Sequence, residues 1–287
     1  MQDRVVIIIG SGPAGISAAL YTQRANIRTI VISKEASALG KAHKINNYYG
    51  FPQPISGPEL EKNGIEQAMS LGVEFITAEV FEVSYDARYT VHTDNGEFVS
   101  DGIVIAMGTS RNSPDIKGIK LFEGRGVSYC AVCDAFFYKG KKVAVIGNSE
   151  YAKHEAAELA PHAASVTLLT NANEPQTDFL LPVITDKISE IVGSEKVERV
   201  AFENGTSIDV EGIFIACGTA GSTDIARKLG IPTENGKILT DDKMSCGYPG
   251  IYAAGDCTGG LLQISKAVYE GALAGTELIK YIRSLDR

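Results

Sequence analysis

Residues 5–24 read VVIIIGSGPAGISAALYTQR. Val5 to Ile9 is an unbroken β-branched run, the pattern of a parallel strand buried on both faces. Gly10-Ser11-Gly12-Pro13-Ala14-Gly15 follows, and the next residues, ISAALYTQRA, carry apolar side chains at helical spacing. A strand, G-x-G-x-x-G and a helix within one unit make the fingerprint of a dinucleotide site. Gly10 allows the tight turn, Gly12 lets backbone approach a pyrophosphate, and Gly15 lets the helix pack closely on the strand. The helix N-terminus, entered through Pro13 and Ala14, offers free amides and the positive end of its dipole to the phosphates. A merely structural glycine turn has no need of all three pieces in register.

Two further stretches extend this site. The strand TIVI at 29–32 ends at Ser33, where an acidic residue usually binds the adenosine ribose; Lys34 and Glu35 follow. Ser33 can donate and accept a hydrogen bond, and Glu35 can reach back, so both are candidate ribose contacts. Near the other end, GIYAAGDCTGG spans residues 250–260, and a helix is expected to start near Gln263. An Asp at a strand end is by itself a common turn residue. In a chain that already holds a pyrophosphate turn, Asp256 suits a hydroxyl of a flavin's ribityl chain. The two motifs together point to FAD, split between the two ends of the chain.

The strand endings IAMG at 105–108 and IACG at 215–218 repeat one pattern and mark crossings between two nucleotide-binding domains. Gly108 joins the candidate cofactor residues. The expected fold is α/β, with two Rossmann-like three-layer domains. The FAD domain is discontinuous, residues 1–112 and 219–287, and a smaller central domain, 113–218, is inserted in it. A chain of 287 residues accommodates two such cores. The net charge of −8 argues against nucleic acid or an anionic membrane as a main partner. No apolar run approaches the roughly 18–20 residues that span a bilayer. Met1–Arg4 leads straight into the first strand, so no leader is expected. Five cysteines do not suggest a disulfide scaffold, and the cytosol is the expected compartment.

The insert holds Cys130-Ala131-Val132-Cys133-Asp134. Cys-x-x-Cys serves either zinc or redox chemistry. Structural zinc needs four ligands, but Cys217, Cys246 and Cys257 are scattered and the four histidines show no paired spacing; no metal is expected. A redox pair opens and closes a disulfide, with one thiol made acidic by its surroundings. Asp134 can carry the proton that a leaving thiolate needs. Cys217 and Cys257, at strand ends beside small residues, are expected to be packing residues, and Cys246 in KMSCGYPG to be more exposed.

Over nearly its whole length the chain resembles the low-molecular-weight thioredoxin reductases. The resemblance is carried by GSGPAG at 10–15, NNYYGFPQPISGPEL at 46–60, GRGVSYCAVCDAFFYKGKKVAVIG at 124–147 and GIYAAGDCTGG at 250–260. It implies a homodimeric FAD protein whose central domain bears the redox disulfide, with Cys133 nearest the flavin and Asp134 the acid. It also implies that Asn47 lies near the flavin. Gln263 matches the glutamine of the family's Arg-Gln-Ala flavin motif, whose arginine and alanine are replaced here by Leu262 and Ile264.

The second nucleotide turn departs from the family. NADPH-using members carry G-x-G-x-x-A there and a basic cluster after the next strand; this chain has GNSEYA at 147–152. Ser149 replaces the second glycine and Glu150 follows it, so an anion meets both side-chain bulk and like charge. The next strand, SVTLLT at 165–170, ends in Asn171-Ala172-Asn173-Glu174, without an arginine for a 2′-phosphate. The resemblance therefore narrows to the ferredoxin-dependent flavin thioredoxin reductases, which lack both pyridine-nucleotide motifs. It implies reduced ferredoxin as electron donor and thioredoxin as acceptor, through thiol–disulfide exchange. Lys139–Lys142 and Lys41–Lys44 are candidate ferredoxin contacts, although such charge runs are usually solvated faces. The rival readings are an oxygen-using dithiol oxidase of the same fold and a non-catalytic flavin sensor. Asp134 rather than histidine after the pair favours the reductase over the first, and retention of both cysteines with Asp134 argues against the second.

Overall fold

The run Val5–Ile9 forms a strand buried along its whole length, at the centre of a five-stranded parallel sheet. A computed structural model describes residues 4–34, 37–109 and 114–286. Glu35 and the expected domain boundary at residues 112–113 lie outside the described residues. The chain divides into two compact units, one of Met1–Ser110 with Gly221–Arg287, the other of Arg111–Ala220.

In the first unit the sheet runs in the order Ile251–Ala253, Gly102–Ile105, Val5–Ile9, Arg28–Ser33, Glu74–Thr77, with every pair parallel. Central parallel strands have both faces covered, which is why they read as continuous Val and Ile rather than alternating. Val6 and Ile8 share a core with Val31, Val104, Ala18, Ala274 and Leu278. Each buried Val, Ile or Leu side chain of this set contributes roughly 1.5–3 kcal/mol. The helices Pro13–Arg24 and Ile264–Ser284 pack on one another at glycine. A Cβ added at Gly271 would lie 2.1 Å from the Ala14 carbonyl oxygen, and one at Gly275 2.9 Å from that of Ala18. The carboxy-terminal helix is thereby seated on the glycine turn at the start of the chain. A three-stranded antiparallel meander, Val80–Asp86, Arg88–Thr93 and Gly96–Ser100, completes the unit.

The second unit repeats the plan at smaller size. Its parallel sheet runs Val183–Ile184, Ser165–Leu169, Lys142–Ile146, Gly212–Ile215, Val127–Ser128. Its own meander is Ile188–Gly193, Val197–Phe202 and Ser207–Asp209. Ala144, Ile146, Ile213 and Ile215 form one core with Ile191, Val200 and Phe202. The fold is thus α/β with two Rossmann-like parallel sheets. No helix among the described residues is long and apolar enough to cross a membrane.

Candidate active site

The first unit builds a cradle at the carboxyl ends of its strands. The Gly10 N–H donates to the Ile32 carbonyl at 2.8 Å, which holds the turn beside the second strand. Gly10 sits at φ +111°, where L side chains are strained, and a Cβ there would meet the Ala106 carbonyl oxygen. At Gly15 a Cβ would fall 1.9 Å from the Gly10 carbonyl oxygen. Gly12 is different. It is the N-cap of the helix, has φ −73° and gives no side-chain cap, and among the described residues a Cβ added there would meet only Ser37, at 3.4 Å. The described residues leave room at this N-cap, next to the first-turn amides of Ala14 and, after Pro13, Gly15. This is the cradle that a pyrophosphate needs, and a dinucleotide such as FAD fits it.

Ser33 closes the strand Arg28–Ser33 and is half-buried. Gly108 lies past the strand Gly102–Ile105 at φ +68°, with no described residue within 4 Å of an added Cβ, and its carbonyl accepts from the Ser222 hydroxyl at 2.9 Å. Asp256 opens a short 3-10 turn, Asp256–Thr258, and its carbonyl accepts from Lys237 Nζ at 3.1 Å. Asn47 Nδ2 donates to Gln263 Oε1 at 2.8 Å, so two candidates far apart in the chain meet. Gln263 is the N-cap of the helix Ile264–Ser284; Leu262 beside it is exposed.

One part of this cradle escaped the sequence reading. Glu270 Oε2 accepts from the Gly255 N–H at 2.8 Å and from the Thr258 hydroxyl at 2.9 Å, and pairs with Lys266 Nζ at 2.8 Å. Lys266 also donates to the Gly255 carbonyl and the Thr258 hydroxyl. The pair is largely buried and fixes the turn that presents Asp256. The available signal was a charged residue on an apolar helical stripe, Ala267–Glu270–Ala274–Leu278.

The second unit carries the sulfur chemistry. Cys130 and Cys133 are joined as a disulfide on a single helical turn, Ala131–Asp134, with Cys130 its N-cap. Cys130 is buried and Cys133 exposed. The Ser128 hydroxyl donates to Asp134 Oδ2 at 2.6 Å and accepts from the Cys130 N–H at 3.1 Å, so one serine ties Asp134 to the first cysteine. Burial, and after it the Asp134 charge, pushes the Tyr138 phenol up. Beneath the turn, the Ala131 N–H donates to Glu155 Oε2 at 2.7 Å. Glu155, like Glu270, stands where a helix should be apolar, between Tyr151 and Leu159 on the buried face of Glu150–Leu159.

Of the remaining cysteines, Cys246 and Cys257 are buried and Cys217 is partly buried. Cys246, expected to be more exposed, is buried at 4 %, because Ser245 bridges to Tyr252 and lays the segment along the strand Ile251–Ala253. Burial, then Cys257 and Asp241, pushes its thiol up to about 12. Burial likewise raises Cys257 to about 12 and Cys217 to about 11.

The second nucleotide turn has been rebuilt from within. Ser149 is buried, and its hydroxyl donates to the Gly218 carbonyl at 2.6 Å. Asn148 Nδ2 donates to the Glu174 carbonyl, and the Asn148 carbonyl accepts from the Gln176 N–H, both at 2.8 Å. Glu150 accepts from the Thr177 hydroxyl. The segment after the strand Ser165–Leu169 is therefore fastened across the turn. A cavity of about 340 Å³ remains, lined by Pro114, Ile146, Asn148, Asn171, Gln176 and Cys217 among others, with no Lys or Arg among its described lining residues.

Residues 4–271 match the model of the pyridine nucleotide-disulphide oxidoreductase family, and the chain belongs to that family. Among curated relatives it is similar to the thioredoxin reductase of Listeria innocua, at 33% identity over 98% of this chain and 94% of the other. It is also similar to that of Aquifex aeolicus, at 37% identity over 88% and 84%. Of solved structures, the atypical thioredoxin reductase TRi from Desulfovibrio vulgaris Hildenborough superposes with a TM-score of 0.93 and 36% identity over 98% of both chains. A ferredoxin-flavin thioredoxin reductase from Clostridium acetobutylicum gives 0.73 and 32% over 97% and 98%. The protein is a thioredoxin reductase-type FAD flavoprotein, an oxidoreductase acting on disulfides.

Proposed function

We propose that this protein reduces the disulfide of thioredoxin with electrons from reduced ferredoxin, and that neither NADPH nor NADH feeds it. The observation that carries the proposal is the second turn. Ser149 spends its hydroxyl on Gly218, Glu150 is held by Thr177, and the cavity beside them has no Lys or Arg among its described lining residues. A dinucleotide pyrophosphate and a 2′-phosphate are strong anions that bind through charge-assisted hydrogen bonds, and those partners are missing from the described lining. The likeness to the clostridial ferredoxin-flavin enzyme supports the choice of donor.

In this reading Gly10, Gly12, Pro13, Ala14 and Gly15 hold the FAD pyrophosphate, Ser33 the ribose and Asp256 the ribityl chain. Asn47, Gly108 and Gln263 complete the site. Bound FAD supplies the exchange between one-electron donors and a two-electron acceptor. The Cys130–Cys133 bond takes up two electrons and two protons and opens to two thiols. Asp134, oriented by Ser128, delivers a proton to the departing sulfur. The dithiol then exchanges with thioredoxin's disulfide, which leaves thioredoxin as the dithiol and re-forms the Cys130–Cys133 bond. Cys133 faces the flavin, the enzyme is a homodimer, and it works in the cytosol. Ferredoxin docks through local positive charge at Lys139, Lys141 and Lys142 or at His43 and Lys44; the Lys41 side chain lies outside the described residues.

Anaerobic stopped-flow of the flavin near 450 nm, with millimolar NADPH or NADH against micromolar reduced ferredoxin, tests the donor. Ferredoxin should bleach the flavin, and thioredoxin, not oxygen, should then discharge it. Saturable fast bleaching by NADPH overturns the proposal. Ser149→Gly with Glu150→Ala should restore little NADPH reduction, since the basic cluster would still be absent.

A further inference from the structure

We infer that Glu155 is a positioning residue for the redox disulfide, one that biases the Cys130–Cys133 pair toward the bonded form and so makes it a stronger reductant. The inference rests on the reading of that pair as the enzyme's redox centre. It starts from an anomaly of burial. Glu155 is 1 % exposed, on the inner face of the helix Glu150–Leu159, where an apolar side chain would pack at no electrostatic cost. Its Oε2 accepts the N–H of Ala131, at 2.7 Å. Ala131 is itself fully buried and is the residue that follows Cys130, the buried sulfur of the pair.

Two consequences follow from that one bond. The first is geometric. With Ala131 anchored from below, the start of the turn is held where the bonded pair has it, the two Cα atoms 5.3 Å apart, within the span a disulfide requires. The second is electrostatic. A disulfide is neutral, whereas the opened pair carries thiolate character, which is the form that attacks another disulfide. A buried carboxylate beside Cys130 disfavours negative charge there, because little water screens it. Both effects raise the free energy of the opened form relative to the closed one. Asp134 sits differently: it is only partly buried, is reached through Ser128, and remains available to carry a proton. The two carboxylates divide the work, Asp134 handling the proton and Glu155 setting how readily the pair gives up its electrons.

The test is the dithiol–disulfide equilibrium of the flavin-loaded protein in glutathione or dithiothreitol redox buffers at pH 7. It is quenched by alkylation and read by mass spectrometry, for wild type, Glu155→Gln and Glu155→Ala. Gln keeps the shape and an oxygen for the Ala131 N–H while removing the charge. It should move the equilibrium constant about tenfold toward the dithiol, a potential about 30 mV more positive. Glu155→Ala, if it folds, should move it further in the same direction, since the anchor is lost as well. Thermal melting monitors folding in parallel. A Gln variant that melts lower but keeps the wild-type potential would make Glu155 a structural residue only and overturn the inference, as would a shift to more negative potential. These buffers need neither ferredoxin nor a nicotinamide, so bleaching by NADPH would refute the proposed donor while leaving this result standing. A wild-type pair that never opens in any buffer refutes both.

Discussion

Gly12→Val separates binding of the cofactor from folding of the protein, because at this position the two make opposite demands. The backbone there has φ −73° and ψ −179°, a conformation open to valine, and the only described neighbour of the new Cβ is Ser37, at 3.4 Å. Loss of a favourable N-cap residue costs about 1 kcal/mol, which in a unit of this size lowers Tm by roughly 2–4 °C. A branched side chain at this N-cap, by contrast, crowds the first-turn amides proposed to hold the FAD pyrophosphate. Two charge-assisted hydrogen bonds denied at about 1.5–3 kcal/mol each weaken flavin binding by on the order of 10²–10⁴-fold. The purified variant should therefore be folded by circular dichroism, melt slightly lower and be largely colourless in its flavin-to-protein absorbance ratio. Gly15→Ala provides the contrast, since its Cβ would lie 1.9 Å from the Gly10 carbonyl oxygen and should fail in folding, not merely in binding. Full flavin occupancy in Gly12→Val would refute the assignment of residues 10–15 to the pyrophosphate.

Cys130→Ser should leave a lone Cys133 thiolate beside oxidised flavin and show a long-wavelength absorption band above neutral pH, whereas Cys133→Ser should show none; the reverse pattern means that the pair is oriented the other way. Glu270→Ala strands buried Lys266 and the Gly255 N–H, a loss of about 3 kcal/mol or more that should lower Tm by roughly 6–12 °C, read by calorimetry; an unchanged Tm would mean that the pair contributes nothing net. Because burial raises Cys217 to about 11 and Cys246 and Cys257 to about 12, native reduced protein at pH 8 should be alkylated first at exposed Cys133, with Cys217, Cys246 and Cys257 modified only after unfolding. These three groups have folded values above the ordinary thiol value of 9.0, so their contribution to stability is complete below about pH 9. It is lost as pH climbs through 11 to 12, and a denaturant midpoint that did not fall across that window would contradict it.

Much of this protein is written locally. Gly10 and Gly15 in the turn at 10–15 meet a backbone conformation and a close approach that only glycine allows, so the residue type itself announces the geometry. The buried strands announce themselves by unbroken Val and Ile, and Cys130-Ala131-Val132-Cys133 by a spacing short enough to close a disulfide on one helical turn. What the tertiary structure decided are the roles of polar residues whose partners are remote in the chain. Asn47 meets Gln263 across 216 positions, Glu155 reaches back 24 to the redox turn, and Cys246 is buried by a strand that follows it. In sequence Ser149 is only a missing glycine; in the structure its hydroxyl is committed to Gly218, 69 residues on. Glycine acts through its own backbone, so one residue suffices to read it. A hydrogen bond or a buried charge is defined by two groups, and which two meet is known only once the chain has folded.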